Sequence, residues 1–268
     1  MGSVDIIKDS LHYPLVDKKK WLILGVLFLI VSIFAVFSNV YHNSGLSSVS
    51  DIVNIIVSLF VLGFSVSIIA STIQNSDSVP DFNVGNNLLD GIKGLILYIV
   101  YLIIPIIITL IVAFVTGLFS NMVDMFMYAA GNSTVPSNVA VVSTAFGNLP
   151  ADLIANFATS FLITLLVAII VFILFTLFAN IGLARMAETG SLSKGLGLRT
   201  VFNKIGSIGW GSYIVWYILV IIVNLVFGII SGILMLIPYV GIFIAALLLS
   251  SFMAMFNSRA LGLIYNEG

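Results

Sequence analysis

LIANFATSFLITLLVAIIVFILFTLFANIGL, residues 153–183, decides how this chain must be read. It runs 31 residues without an acidic or basic side chain. A helix needs about 20 mostly apolar residues to cross the hydrocarbon core of a bilayer, so this run crosses with residues to spare. Its apolar side chains are continuous. Strands of a closed membrane barrel alternate about every second residue, so a helix is favoured.

Working outward, five more runs share this character, at about 21–40, 52–74, 94–119, 211–237 and 240–257. The first follows Lys18, Lys19 and Lys20 and so imitates a signal peptide. Its apolar core is too long for one and no small-residue cleavage site follows, which predicts a retained span. Composition agrees. The chain is 60% hydrophobic and 8% charged, with a mean hydropathy of +1.22. A soluble domain carries about 25% charged residues. The expected fold is an all-α integral membrane protein of six spans, forming a single membrane domain over 1–268.

The ten basic residues set the expected orientation. Lys8, Lys18, Lys19 and Lys20 precede the first span, and Lys93 precedes the third. Arg185, Lys194, Arg199 and Lys204 lie between the fourth and fifth, and Arg259 follows the sixth. The three opposite loops, including the long one at 120–152, have none. Chance would produce this less than about one time in a hundred, and basic loops stay on the cytoplasmic side. Both termini are therefore expected in the cytoplasm of a cell-membrane protein. Trp21, Trp210 and Tyr265 fall near the inner ends, and Tyr41 and Tyr239 near the outer ends, where amphipathic rings prefer to lie.

The cytoplasmic segment before each odd-numbered span has a striped pattern. The stripes are Val4, Ile7 and Leu11; then Leu88, Leu89, Ile92 and Leu95; then Leu198, Val201, Phe202 and Ile205. Such spacing suits helices lying in the membrane interface. It divides the chain into three hairpins, over about 1–74, 80–184 and 190–268, each preceded by an interfacial segment.

Several chemistries are excluded. There is no cysteine, so disulfides, thiolate metal sites and a cysteine nucleophile are absent. The two histidines, His12 and His42, fall in different segments. The net charge of −1 creates no field that would recruit nucleic acid. No phosphate loop, paired intramembrane acid or hydrolase motif is present, so neither an enzyme nor a cofactor is expected.

What remains is polar but neutral. Ser67, Thr109, Asn180 and Asn224 lie within spans and serve either helix packing or a substrate path. Pro105 interrupts the third span and is a candidate hinge. Gly63, Ser67 and Ser71 recur four apart, as do Gly228 and Gly232, and Gly241 and Ala245, which allows close helix approach within the chain or between copies. Asp51 and Asp152 sit at outer helix starts, where a carboxylate complements the helix dipole. Asn132-Ser133-Thr134 makes Asn132 a candidate glycosylation site.

Longer stretches carry a resemblance. They are Ser76-Asp77-Ser78-Val79-Pro80-Asp81-Phe82, then Leu88-Leu89-Asp90-Gly91-Ile92-Lys93-Gly94. His12-Tyr13-Pro14, Ala184-Arg185-Met186-Ala187 and Arg259-Ala260-Leu261-Gly262-Leu263-Ile264-Tyr265 join them. Together they resemble an archaeal membrane family catalogued as domain of unknown function 4013. The resemblance implies a multi-pass archaeal membrane protein and supplies no activity. It draws attention to Pro80, Asp81, Asp90, Gly91 and Arg185, which either shape turns at the membrane surface or meet a lipid head group or a partner.

Two functions follow as expectations. The first is a non-enzymatic envelope scaffold or interaction protein, with membrane lipids and either a protein partner or a second copy as its company. The alternative is a transporter or permease-like protein for a neutral or lipidic substrate, motivated by Pro105, Asn180 and Asn224. A lipid-modifying enzyme ranks below both.

Overall fold

A computed structural model describes residues 1–41, 44–131 and 149–268. These residues are mostly helical, and no strand occurs among them. Six helices are long and apolar enough to cross a membrane: Lys18–Tyr41, Gly45–Ile73, Val84–Val115, Ala151–Thr189, Trp210–Leu234 and Val240–Tyr265. The candidate glycosylation site Asn132 lies outside the described residues. The chain forms two compact units, Met1–Ile99 with Phe178–Gly268, and Val100–Leu177.

The first unit begins with α1 (Ser3–Val16), and Asp17 breaks it from α2 (Lys18–Tyr41). The buried face of α1 is Ile6, Ile7, Ser10, Tyr13 and Pro14, while Val4 stands exposed. The stripe of Val4, Ile7 and Leu11 thus misplaces the packed face by about one residue. The face turns because α1 packs on the C-terminal helix, and Ser10 can be buried because its hydroxyl bonds the Ile6 carbonyl at 2.7 Å.

Next come α3 (Ser44–Ile73) and α4 (Val84–Val115). They run antiparallel in close contact. A Cβ on Gly63 would overlap the Asn87 carbonyl, and one on Gly91 would overlap the Leu59 carbonyl. Only glycine lets two helix backbones approach this closely. No separate interfacial helix precedes the third span, because 84–95 continue into it as one helix. Over 84–99 of α4 the buried residues are Asn87, Gly91, Gly94 and Leu97, whereas Leu89, Ile92 and Leu95 are exposed. The apolar stripe faces outward. In lipid the apolar face meets solvent, and small or polar residues meet the neighbouring helix.

After the last turns of α6 (Ala151–Thr189) come α7 (Leu192–Gly195) and α8 (Leu198–Ile208), the latter burying Val201, Ile205 and Ile208. Gly209, at φ 90°, breaks α8 from α9 (Trp210–Leu234), a backbone angle that glycine tolerates. Pro238 and Tyr239 then turn the chain into α10 (Val240–Ile244). A π-helical stretch, Ala245–Ser250, links α10 to α11 (Ser251–Tyr265). The altered ladder meets α2: the Leu248 carbonyl accepts from Trp21 Nε1 at 3.2 Å, and Gly25 lies against the Leu247 carbonyl.

The second unit, Val100–Leu177, contains the later part of α4, then α5 (Leu118–Gly131) after a turn at Gly117, then the earlier part of α6. Neutral hydrogen bonds join its helices. Thr116 and Thr164 share one at 3.1 Å, and Asn121 Nδ2 donates to Ser160 Oγ at 3.1 Å and to the Asn156 carbonyl at 3.2 Å. Pro105 is buried here inside an unbroken α4.

Candidate functional site

Arg259 lies on α11, a helix buried on nearly every side. Its side chain is only 5% exposed. A buried charge is tolerated only when paired and hydrogen-bonded, and three chain segments supply the partners. Nε donates to Asp9 Oδ1 of α1 at 2.8 Å. Nη1 donates to the Ser76 carbonyl at 2.8 Å, and Nη2 to Asp77 Oδ1 at 2.6 Å. The guanidinium carbon stands 5.0 Å from the centre of the Tyr13 ring, a cation–π distance. One side chain therefore joins the beginning of the chain, the 74–83 connection and the last helix.

Tyr13 and Lys20 anchor the same connection. The Tyr13 hydroxyl donates to the Ser78 carbonyl at 3.2 Å. Burial pushes its pKa up to about 12, so it remains a donor at ordinary pH. Lys20 Nζ donates to the Val79 carbonyl at 2.6 Å and pairs with Asp81 at 2.8 Å. The hydrogen bond from Lys20 holds the Asp81 carboxyl below its usual range. Val79 is buried with Tyr13, Leu24, Phe64, Ile68 and Met255, and Phe82 packs on Phe64 with ring centres 4.5 Å apart. Beside Arg259 lies a cavity of about 310 Å³, lined by Asp9, His12, Tyr13, Val16, Asp77 and Arg259.

A second polar cluster gathers the other basic segments. The Tyr265 hydroxyl donates to Glu188 Oε2 at 2.6 Å. Lys204 Nζ stands 4.2 Å from the Tyr265 ring centre and donates to the Gly268 carbonyl at 2.5 Å. Burial lowers the Lys204 pKa, with Glu188 opposing the shift. Arg185 interacts electrostatically with Tyr265, while its own Nε is buried without a hydrogen-bond partner among the described residues. Lys93 pairs with Asp90 at 2.8 Å and reaches the Gly190 carbonyl at 3.5 Å.

The polar residues singled out within spans do not share one place in the first unit. Ser67 donates to Asn87 Oδ1 at 3.1 Å. Asn180 interacts with Tyr213. Asn224 and Asn257 exchange amide hydrogen bonds at 3.0 and 3.2 Å, joining α9 to α11. In the second unit, Thr109 has a buried hydroxyl without a partner among the described residues, one turn beyond Pro105. Of the family-like motif, Pro80 and Asp81 lie in the connection held by Lys20, and Asp90 pairs with Lys93. Gly91 is inside α4 at its contact with α3, and Arg185 belongs to the second cluster.

Sequence reasoning missed Asp9, Tyr13, Asp77 and Arg259 as one constellation. The signal was available in part: Arg259 is the one basic residue in the whole stretch after Lys204. Its partners lie 182 to 250 positions away, a separation at which no periodicity links residues.

A family model matches residues 46–236. The chain belongs to that family. Its description is protein of unknown function (DUF4013). The match covers the 74–83 connection with Asp77, and Asp9, Tyr13 and Arg259 fall outside it. Nothing among curated proteins or solved structures matches the chain.

Proposed function

We infer that this DUF4013-family membrane protein is a non-enzymatic scaffold or interaction protein of the cell membrane, with both termini on the cytoplasmic side. One observation carries the reading. In the first unit, Ser67, Asn180 and Asn224 are each taken up by a separate contact, whereas the charged groups gather around Arg259 at the helix ends, beside an open cavity. Groups that satisfy one another in pairs favour packing over a substrate path. A rigid charged surface at the helix ends favours recognition of something at that surface, from a protein partner or second copy to the lipid itself. The basic segments tied together there are those that the charge bias assigns to the cytoplasm.

Affinity purification from native lipid tests it. A specific co-purifying protein is expected, and Arg259→Met is expected to reduce its recovery. Recovery of the intact protein only as a lone monomer in gentle detergent would count against the reading.

Transport of a neutral or lipidic substrate keeps one supporting observation, the unpartnered Thr109 hydroxyl beyond Pro105. The natural absence of cysteine makes Thr109→Cys a clean probe. Labelling by a membrane-impermeant thiol reagent would favour transport, and protection is expected for the scaffold.

A further inference from the structure

The cavity beside Arg259 holds more acid than base. Two carboxylates, Asp9 and Asp77, face one guanidinium, so these three groups together carry a formal charge of −1. Arg259 does not present its charge to an incoming group, because its side chain is 5% exposed. Asp77 is 89% exposed and Asp9 37%. An anion would therefore meet carboxylates first and be repelled, whereas a cation would be attracted. Arg259 takes Oδ1 of each aspartate, so each Oδ2 remains for a second donor.

The kind of cation follows from the same groups. Among the described residues, no three acidic or histidine side chains are placed to ligate a metal ion. A pair of carboxylates with free oxygens accepts hydrogen bonds, and an ammonium brings three N–H donors that point in different directions. Val16 and the Tyr13 ring supply an apolar wall for methylene carbons. The volume of about 310 Å³ lies at the small end of ligand pockets, the size of a head group.

We propose that this cavity binds the ammonium group of a phosphoethanolamine-type lipid head group. The lipid source follows from position. Val16 lines the cavity, and exposed Lys18 and Lys19 follow it at the start of the first apolar helix, with exposed Lys8 beside Asp9. The cavity therefore opens at the start of an apolar helix, where lipid head groups lie, and basic side chains follow its lining in the chain. This site does not rest on the scaffold reading, since a transporter could carry it equally.

Delipidated protein is offered equal amounts of phosphatidylethanolamine and phosphatidylcholine with identical chains, and native mass spectrometry counts the retained lipid. Preferential retention of phosphatidylethanolamine by about tenfold is expected, the scale of one charge-assisted hydrogen-bonded contact. The preference should fall with each N-methyl added, because each removes a donor. Glycerophosphoethanolamine, the head group without chains, should compete. Asp77→Asn should bring the two lipids near parity. Val16→Trp should do the same by filling the cavity, with thermal stability unchanged because every partner of Arg259 is kept. Should Asp77→Asn fail to fold, Val16→Trp decides alone. Equal retention by the wild type, or a preference that survives Val16→Trp, overturns the proposal. So does displacement of the lipid by a lysine-bearing peptide more readily than by the free head group, which would make a protein the occupant.

Discussion

Helices α3 and α9 carry the same small-residue signature and use it differently. On α3, Gly63 and Ser67 face α4, and the Asn87 backbone occupies the space a Cβ on Gly63 would need. On α9, Gly228 and Gly232 are also four apart, yet nothing in the described chain lies within 4 Å of where their Cβ atoms would stand. Spacing says that two helices can approach closely. It does not say whether one does. On α3 the missing side chains are required by a neighbour, and on α9 they leave an outward-facing groove.

The largest test of this contrast is Gly63→Ala. The added carbon overlaps a backbone carbonyl that no rotamer can move, so α3 and α4 must separate. A loss of about 3 kcal/mol or more is expected. It should appear as a marked drop in thermal stability by size-exclusion chromatography of heated detergent samples. A neutral Gly63→Ala would break the comparison.

Next is Arg259→Met, which keeps the bulk of the side chain and deletes the charge. It strands Asp9 and Asp77, both partly solvated, and releases the 74–83 connection from α11. About 2–3 kcal/mol is expected, below the cost of stranding fully buried partners. Faster proteolysis within 74–83 should accompany it. Unchanged cleavage would mean that Tyr13 and Lys20 hold the segment without Arg259.

A smaller effect attaches to Asn224→Leu, which removes one half of the amide pair between α9 and α11. Hydrogen bonds between membrane helices contribute about 0.6 kcal/mol on average, so about 1 kcal/mol is expected for the two. Adding Asn257→Leu should cost little more, because the remaining amide is already without its partner. Full additivity in the double variant would argue against the pairing.

Gly228→Ala should be smaller still and opposite in sign, a gain below about 1 kcal/mol from helix propensity. A large loss would instead reveal a second copy seated on α9 and would make the two glycine faces alike. The faintest effect concerns acid. Because the Asp81 pKa is lowered in the folded state, its pairing with Lys20 stabilises above the ordinary aspartate value of 3.8. That contribution fades as pH falls through the lower folded value. Hydrogen exchange at 79–82 should rise over that window in the wild type and stay flat in Asp81→Asn.

Much of the architecture was legible in residues alone. The uncharged run at 153–183 and its five counterparts correspond to six long apolar helices, because length and apolarity are summed along the chain and need no neighbour. The faces were less legible. Leu89, Ile92 and Leu95 made an obvious stripe, yet Asn87, Gly91 and Gly94 make the contact. An apolar stripe marks the core in water. In lipid it marks the outside, so periodicity found the two faces of α4 without telling which is packed.

The Arg259 site was least legible. Arg259 follows a span as other basic residues do, and nothing in the spacing of Asp9 and Asp77 links them to it. The sequence by itself determined a membrane chain of six apolar helices, since hydrophobicity is a local and additive property. Tertiary structure alone decided that Gly63 is buried while Gly228 is bare, and that Arg259 binds two acids from opposite parts of the chain. Both depend on which helices become neighbours, and the ion pairs and backbone contacts that result act only within a few ångströms.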